Sequence, residues 1–330
     1  MRVLCWHVHG SWSTSFVHGP HTTLVPVVPD RGPDGRGRPD TFAWPDRARE
    51  ITYDRLRGED VDVVVLQRPH ELELAEEWLG RRPGRDIPAV YVEHDTPRGT
   101  AADASGPHQR VPSSRHFLAD RADVLVVHVT HFNQLFWDCG KAPTTVIEHG
   151  VPDPGHLFTG DWPRAAIVIN EPLRRWRVTG SDLLPEFTRA VPVDLFGMKV
   201  HDVPGRLGIP AEAMWTFEDL PQHQMHPELA RRRVYVHPYR WTSLGFALIE
   251  AMFLGLPVVA LATTETVEAV PPEAGVISTR IGALADAVRS FVSDPLAARE
   301  AGRAARQAAG RYALPRFLRD WERVLQEVTS

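Results

Sequence analysis

Short runs of Val, Ile, Leu and other apolar residues alternate along the chain with stretches in which apolar positions recur every three or four residues. This alternation is typical of parallel strands joined by crossover helices. In the first half it predicts strands at Arg2–Trp6, Asp62–Leu66, Ala89–Glu93, Val124–Val127 and Thr144–Glu148. It predicts helices between them at Pro45–Leu56, Glu71–Gly80, Ser113–Asp120 and Asn133–Asp138.

The second half repeats the pattern and closes with an amphipathic helix. Its predicted strands are Ala166–Ile169, Val193–Phe196, Val234–His237 and Val258–Ala260. Its predicted helices are Asp182–Ala190, Pro227–Arg231, Gly245–Leu254 and Gly282–Phe291. In the closing segment, a single apolar stripe at helical spacing is formed by Phe317, Trp321, Val324, Leu325 and Val328.

A polar segment rich in Pro and Gly, Val146–Pro163, lies midway and is the predicted linker. A chain of 330 residues suits two domains of roughly 150 residues each. We therefore expect two doubly wound α/β domains with a cleft between them. In such sheets ligands bind at the carboxyl ends of the strands, so the loops that follow the strands are the candidate sites.

Composition narrows the class of protein. A charged fraction of 24% and a net charge of −5 are those of a globular protein and do not indicate nucleic-acid or anionic-membrane binding. The two cysteines, Cys5 and Cys139, make no disulfide framework, which fits a reducing compartment. No signal peptide is recognisable at the N-terminus, and the longest apolar stretch, Ala251–Ala262, is too short to span a bilayer. We expect a cytoplasmic protein without stable membrane insertion.

Two predicted strand ends in the first half carry polar side chains. The segment "HVHGSW" after the first strand contains His9, Gly10 and Ser11, and a glycine there would let a ligand approach the backbone. The segment "EHDTPRG" places His94 and Asp95 after the strand Ala89–Glu93. A tight turn and a structural histidine are the alternative interpretations.

An arginine cluster follows the first strand of the second half. In "INEPLRRWRVTGSDLL", we predict that Arg174, Arg175 and Arg177 lie in one loop ahead of a helix that begins near Ser181–Asp182. Arginines at a strand end can bind phosphate through paired, charge-assisted hydrogen bonds. A solvated charge run remains the alternative.

The strongest local signal is "VYVHPYRWTSLGFALIEAM", which predicts a strand, a loop and a helix that begins near Ser243–Gly245. The backbone amides at such a helix start form an anion site. Glu250 lies inside the helix among apolar residues. Because an ionised carboxylate buried without a partner is costly, Glu250 must be exposed, paired, or bound to a polar ligand such as a sugar hydroxyl.

Other kinds of site are not favoured. The histidines at 7, 9, 18, 21, 223 and 226 have no Cys partner and no recognised ligand spacing, so we predict no metal site. Asp60 and Asp62 lead directly into a strand, which is typical of a strand edge. The chain contains no Walker loop, no G-x-S-x-G elbow and no G-x-G-x-x-G fingerprint.

Taken together, these segments resemble the GT-B glycosyltransferases of the retaining family-4 type (glycosyl transferases group 1). "SLGFALIEAMFLGLPVVALATTETVEAV" resembles the donor-binding segment "E-G-F-G-L-x-x-x-E-A-M-A-x-G-x-P-V-V-A" of that family. "VIEHGVPDP" is similar to its interdomain run "V-I-P-N-G-V-D", and "RRWRVTGSDLL" to "G-R-L-x-x-x-K-G-x-D-L-L". "AVYVEHD" resembles the strand that ends in the family's cleft histidine.

The resemblance implies two Rossmann-like domains and a C-terminal helix that crosses back to the N-terminal one. The implied division is an acceptor domain, 1–155 with 313–330, and a nucleotide-sugar donor domain, 156–312. It implies that Glu250 binds the donor ribose, that Arg174 binds the diphosphate and that His94 lies beside the donor sugar. The further donor-binding residues that it implies are Arg175, Arg177, Thr179, Gly197, Thr242, Ser243, Leu244 and Gly245. The residues that it implies for the acceptor side are His9, Gly10, Ser11 and Asp95.

Two positions depart from the family pattern. Thr242 stands where the family has the first glutamate of its paired-glutamate motif, which approaches the hydroxyls of the donor sugar. Thr179 stands where the family has a diphosphate-binding lysine, and Arg175 or Arg177 would supply that charge. The sequence therefore predicts binding of a nucleotide diphosphate more firmly than it predicts the identity of the donor sugar.

The implied activity is transfer of a sugar from a nucleotide-diphosphate donor to an acceptor hydroxyl, with retention and without a metal or cofactor. The implied partners are the donor and a small-molecule or glycan acceptor, with the chain as a monomer or homodimer. Two alternatives stay open on the same fold. One is a nucleotide-sugar epimerase or phosphorylase, and the other is a catalytically silent module that binds nucleotide sugar or glycan.

Overall fold

Two parallel sheets, of seven and six strands, organise the chain in a computed structural model that describes residues 1–39, 42–97 and 114–330. The chain divides into two compact units, Met1–Val151 with Leu314–Ser330, and Pro152–Ala313. Each unit contains one of the sheets, with helices joining the strands. The fold class is therefore α/β with two Rossmann-like units, as the sequence predicts.

In the first unit the strands are short and mostly buried, which is why their apolar runs are continuous. The sheet has the order β3-β2-β1-β4-β5-β6-β7. Its strands are β1 (Arg2–Cys5), β2 (Thr22–Val27), β3 (Ala48–Thr52), β4 (Val63–Leu66), β5 (Ala89–Glu93), β6 (Leu125–His128) and β7 (Thr144–Val146). Its helices are α1 (Gly10–Val17), α2 (Glu71–Leu79), α3 (His131–Phe136) and α12 (Leu314–Thr329).

The second unit has the strand order β10-β9-β8-β11-β12-β13. Its strands are β8 (Trp162–Val168), β9 (Val193–Gly197), β10 (Met214–Glu218), β11 (Arg232–His237), β12 (Val258–Leu261) and β13 (Gly275–Ser278). Its helices are α4 (Pro172–Thr179), α5 (Leu184–Ala190), α6 (Val203–Leu207), α7 (Gln222–Leu229), α8 (Phe246–Leu254), α9 (Thr266–Ala269), α10 (Ile281–Ser293) and α11 (Pro295–Ala309). The strand order reverses direction between β8 and β11, which makes their carboxyl ends a topological switch point.

The amphipathic helix α12 completes the core of the first unit. The rings of Phe317 and Trp321 lie edge-on to that of Trp12, with centroids 6.2 and 5.6 Å away. Phe16 meets Trp321 in the same way at 5.2 Å. A side chain at Gly150 would lie 2.3 Å from the Cβ of Phe317, so the glycine is what allows α12 to pack so closely. In the described part of the chain, no helix combines the length and apolar character needed to cross a membrane.

The buried strands with apolar runs were predicted well, and so was the edge strand β7, whereas the edge strands β3, β10 and β13 were not. The predicted helix Pro45–Leu56 is wrong, because the segment forms the edge strand β3 and a 3₁₀ turn at Tyr53–Gly58. Its buried residues Ala48 and Ile51 are three apart, a spacing that imitates a helix. Residues 114–120 of the predicted helix Ser113–Asp120 form turns and one isolated bridge from Arg115 to Asp138 instead, and Ser113 lies outside the described residues. The strands β2, β10 and β13 and the helices α1, α4, α6, α9 and α11 were not predicted.

One buried carboxylate in the second unit holds two arginines. Asp194 on β9 accepts hydrogen bonds of 2.6 Å from the Nε atoms of both Arg164 and Arg232, and all three side chains are buried. The guanidinium of Arg164 stacks on the ring of Trp215 at 4.0 Å. Arg232 also pairs with Glu228 at 2.8 Å, so the two cations and two carboxylates form one network.

The free energy of unfolding of the first unit should fall in acid, because His128 is fully buried and neutral in the folded state. Burial lowers its pKa from 6.5 to about 4, so the unfolded chain binds this proton more readily between those values. The contribution of His128 to the free energy of unfolding is therefore fully present above about pH 6.5 and is lost towards pH 4, by roughly 2–3 kcal/mol.

We expect urea denaturation at pH 7 and at pH 4.5 to show a smaller loss of unfolding free energy for His128→Gln than for the wild type. An equal loss in both proteins would contradict this, and His18→Gln, at an exposed position, is the control.

Candidate functional site

The loops that follow β8 and β11 meet at the switch point of the second sheet. The backbone amide of Arg240, after β11, donates to the carbonyl of Val178 in α4 at 2.9 Å. Gly180, with φ 71°, lies so close that a Cβ there would be 1.9 Å from the carbonyl oxygen of Pro238. Only a glycine fits this contact, which joins the two loops in which the sequence places its donor-binding residues.

The arginine cluster lies on a helix, and the predicted loop conformation is wrong. Residues Pro172–Thr179 form α4, which is broken at Trp176 by φ 22° and ψ −94°. Arg177 pairs with Asp182 at 2.8 Å, and the guanidinium of Arg175 lies 5.9 Å from the ring of Tyr239. The pattern was misread because Pro172 and three arginines within four residues look like a polar turn.

Glu171, at the start of α4, holds two cations. Its carboxylate accepts a hydrogen bond of 2.8 Å from Arg174 Nε and one of 2.8 Å from Lys199 Nζ. These bonds lower the pKa of Glu171 to about 2. Glu171 and Lys199 are also in the left-handed region, at φ 55° and 57°, and such strained residues concentrate at functional sites.

A pocket of about 440 Å³ opens beside this charged group at the carboxyl ends of β8, β9 and β10. Its wall includes Leu173 as well as His201, whose backbone amide donates to Glu218 at 2.9 Å. The residues that line it are Glu171, Leu173, Arg174, Lys199, His201, Asp202 and Glu218. The pocket thus combines cations for an anion with carboxylates for hydroxyl or amine donors.

Two further residues predicted to bind the donor, Gly197 and Thr179, make close contacts within the protein at this end of the sheet. Gly197 ends β9 with φ 136°, where a Cβ would lie 2.2 Å from the carbonyl of Ile169. Thr179 is fully buried, and its hydroxyl lies 2.8 Å from that of Ser181. Thr179 therefore joins α4 to the following turn.

The predicted segment 242–245 leads into α8, which begins one residue later than expected, at Phe246. Gly245 is its N-cap, and a Cβ there would lie 2.9 Å from the ring of His237. Ser243 and Leu244 are buried, whereas Thr242 is half-buried. The backbone amides that begin α8 therefore follow directly on the switch-point loop.

Glu250 is buried in α8 and is paired, one of the three outcomes expected for it. Its Oε1 accepts a hydrogen bond of 2.8 Å from Gln222 Nε2, and its Oε2 lies 3.5 Å from His226 Nε2. Both partners lie on α7. Sequence reasoning missed them because they are distant along the chain and the pattern around them, "QHQMHPE", has no apolar periodicity.

In the first unit, His9 and His94 lie together at the carboxyl end of the sheet. Their ring centroids are 4.0 Å apart, and Trp12 meets His94 edge-on at 5.2 Å. The Nε2 atom of His94 is 3.0 Å from Oε1 of Gln67, the residue that follows β4. Burial lowers the pKa of His94 well below its usual value, and the proximity of His9 and His149 lowers it further, so the ring is neutral at pH 7.

The other residues predicted for this end have mainly backbone roles. Gly10 opens α1 and accepts a hydrogen bond of 2.7 Å from Thr14 Oγ1. Ser11 is half-buried one residue further on. The Asp95 side chain is exposed, while its carbonyl accepts a hydrogen bond of 2.8 Å from Trp137 Nε1. Over residues 1–39, 42–97 and 114–330, no group of three or more His, Cys, Asp or Glu is placed to hold a metal ion.

A family model described as "Glycosyl transferases group 1" matches residues 213–294, which include the loop Thr242–Gly245 and Glu250. Three solved structures are similar over nearly their whole length. Sucrose-phosphate synthase from Thermosynechococcus elongatus has a TM-score of 0.75 at 12% identity, over 99% of this chain and 98% of that one. HepE from Anabaena, in complex with UDP and glucose, has a TM-score of 0.70 at 14% identity, over 99% and 100%. A glycosyltransferase from Rickettsia africae has a TM-score of 0.68 at 14% identity, over 99% and 98%.

At such identities the similarity shows the fold, which is GT-B. No curated protein matches the sequence.

Proposed function

We propose that the protein is a glycosyltransferase that moves a sugar from a nucleotide-diphosphate donor to an acceptor hydroxyl. The observation that carries the proposal is the junction at the switch point between α4, which contains Arg174, and the loop that leads into α8, which contains Glu250, made by the hydrogen bond from the Arg240 amide to the Val178 carbonyl. Residues 213–294, which match the glycosyl transferases group 1 model, contain two of these three elements. We assign donor binding to the second unit and acceptor binding to the first.

The chemical demand of such a transfer is to stabilise negative charge on the departing diphosphate. Arg174 and Lys199 lie on either side of Glu171 and can exchange that carboxylate for phosphate oxygens. The amides that begin α8 add the positive end of a helix dipole. Preorganised cations and amides stabilise such charge strongly, and we propose that they do so here without a metal.

Glu250 would bind the ribose, which offers two neighbouring hydroxyl donors. The hydrogen bond from Gln222 holds its carboxylate in place, with His226 3.5 Å from the second oxygen, so the remaining lone pairs have a preferred direction. A preorganised acceptor loses little entropy on binding. His94 would contact the donor sugar, and Thr242 would set how its hydroxyls are held.

Retention at the anomeric carbon is part of the proposal and is supported by the resemblance of Ser243–Val270 to the retaining family. The mechanism that fits is front-face displacement, in which the departing phosphate takes the proton of the acceptor hydroxyl. Because the similar Anabaena structure contains UDP and glucose, uridine diphosphate and its glucose conjugate are the first ligands to test.

The proposal is tested by thermal unfolding with UDP, GDP, ADP and TDP, followed by their sugar conjugates. Binding to the folded state at a hundredfold excess over Kd stabilises it by about 2.7 kcal/mol, so at least one diphosphate should raise Tm by several degrees. The matching monophosphate should raise it less, because it leaves part of the cationic site empty.

Turnover of the selected donor is then measured with a panel of acceptor alcohols, and NMR gives the anomeric configuration of the product. A retained anomer supports the whole proposal, and an inverted one overturns the mechanism. A sugar isomer formed without acceptor would identify an epimerase, and binding without turnover a silent module. No stabilisation by any nucleotide would overturn the function.

A further inference from the structure

Gln67 connects the ends of three neighbouring strands in the first sheet. It follows β4, which lies between β1 and β5 in the strand order. Its side-chain Nε2 donates to the carbonyl of Trp6, after β1, at 2.7 Å. Its Oε1 lies 3.0 Å from Nε2 of His94, after β5.

The backbone of Gln67 is held as firmly as its side chain. Its amide donates to the buried carboxylate of Glu71 at 2.6 Å. Its carbonyl accepts a hydrogen bond of 3.3 Å from the hydroxyl of Tyr91. Gln67 is itself only 5% exposed, so its amide group has one well-defined position.

The orientation of this amide follows from Trp6. A backbone carbonyl only accepts hydrogen bonds, so the atom that faces it must be the NH₂ group of Gln67. The other atom, which faces His94, is therefore the carbonyl oxygen. Because that oxygen also only accepts, the ring nitrogen opposite it must carry a proton.

We infer that Gln67 is a positioning residue that fixes His94 in the tautomer with its proton on Nε2. The Nδ1 atom of the neutral ring then carries a lone pair and acts only as an acceptor. The ring of Trp12, perpendicular to that of His94 at 5.2 Å, and the tilted ring of His9 at 4.0 Å keep the His94 ring in this orientation.

A consequence for specificity rests on the proposed function. A substrate group that bonds to Nδ1 of His94 must donate a hydrogen bond, as a sugar hydroxyl does. A phosphate oxygen only accepts, so it is disfavoured at this atom. In this tautomer, Nδ1 of His94 would not be the proton donor to the departing diphosphate.

The test is the ¹⁵N–¹H spectrum of the histidine rings in the ligand-free protein, with the His94 signals assigned by their loss in His94→Gln. The wild type should show the pattern of an Nε2–H tautomer. Gln67→Leu, which removes the acceptor, should show a mixture of tautomers. Gln67→Glu, which keeps an acceptor oxygen, should restore the Nε2–H form. The control is Gln134→Leu. Gln134 lies on α3 and donates a hydrogen bond to Thr144 on β7, so its replacement should leave the His94 signals unchanged.

An Nδ1–H pattern in the wild type would overturn the inference whether or not the variants fold. So would a folded Gln67→Leu whose tautomer matches that of the wild type. The measurement needs neither donor nor acceptor, so its outcome does not depend on whether the protein transfers a sugar.

Discussion

Replacing Arg174 by alanine should lower kcat/KM for sugar transfer by at least about 100-fold. The loss of one preorganised group that stabilises transition-state charge typically has an effect of this size. Arg174 is exposed and bonds mainly to Glu171, so its removal should leave the fold intact. Steady-state kinetics with the donor identified by thermal unfolding gives the value. Arg189→Ala, which removes another exposed arginine paired with a glutamate in the same unit, is the matched control.

Glu171→Gln tests the same diphosphate site by removing the negative charge that neutralises its cations. Glu171 bonds to both Arg174 and Lys199 and so competes with a bound diphosphate for their positive charge. We expect Glu171→Gln to bind the nucleoside diphosphate more tightly than the wild type and Lys199→Ala to bind it more weakly, both measured by calorimetry. Near-normal kcat/KM in Arg174→Ala, or weaker binding by Glu171→Gln, would refute the assigned diphosphate site.

Asp194→Asn should lower the free energy of unfolding by about 3–5 kcal/mol, because breaking a buried ion pair leaves uncompensated charge in the interior. Asp194 is fully buried and is the carboxylate shared by Arg164 and Arg232. An amide can accept one of the two hydrogen bonds and neutralises neither guanidinium. Urea denaturation measures the change as a shift of the midpoint.

The matched control is Asp286→Asn, which removes an aspartate from an exposed pair with Arg289 on α10. Exposed pairs contribute about 0–1 kcal/mol, so the control should remain close to the wild type. A loss below about 1 kcal/mol in Asp194→Asn would contradict this prediction, because Glu228 pairs with Arg232 and leaves Arg164 without a carboxylate.

The central strands could be predicted because they are buried on both faces, so every residue of a run such as "VVVL" in β4 is apolar. Other strands lack this signal. The edge strand β3 buries only Ala48 and Ile51, and its neighbour β2 contains Pro26, so neither resembles a strand in isolation. α4 was missed for a similar reason, because a helix with three arginines, two of them exposed and one half-buried, has no apolar stripe.

The site residues were named from single segments, and the residues that position them were not. Glu250 stood out as an acid in an apolar helix, but Gln222 and His226 reach it from α7. Lys199 reaches Glu171 from the end of β9, and Gln67 reaches His94 across neighbouring strands. These contacts depend on strand order, which local spacing does not encode. The roles of all the site residues remain predictions.

The position of α12 in the first unit has a consequence for the order of synthesis. On the ribosome, Trp12 and Phe16 emerge early, yet the rings that pack against them, Phe317 and Trp321, follow only after all of residues 152–313. The second unit therefore has its full sequence available first. The unit that is translated first is the last to close its core, and it exposes two large aromatic rings to chaperones or to aggregation until then.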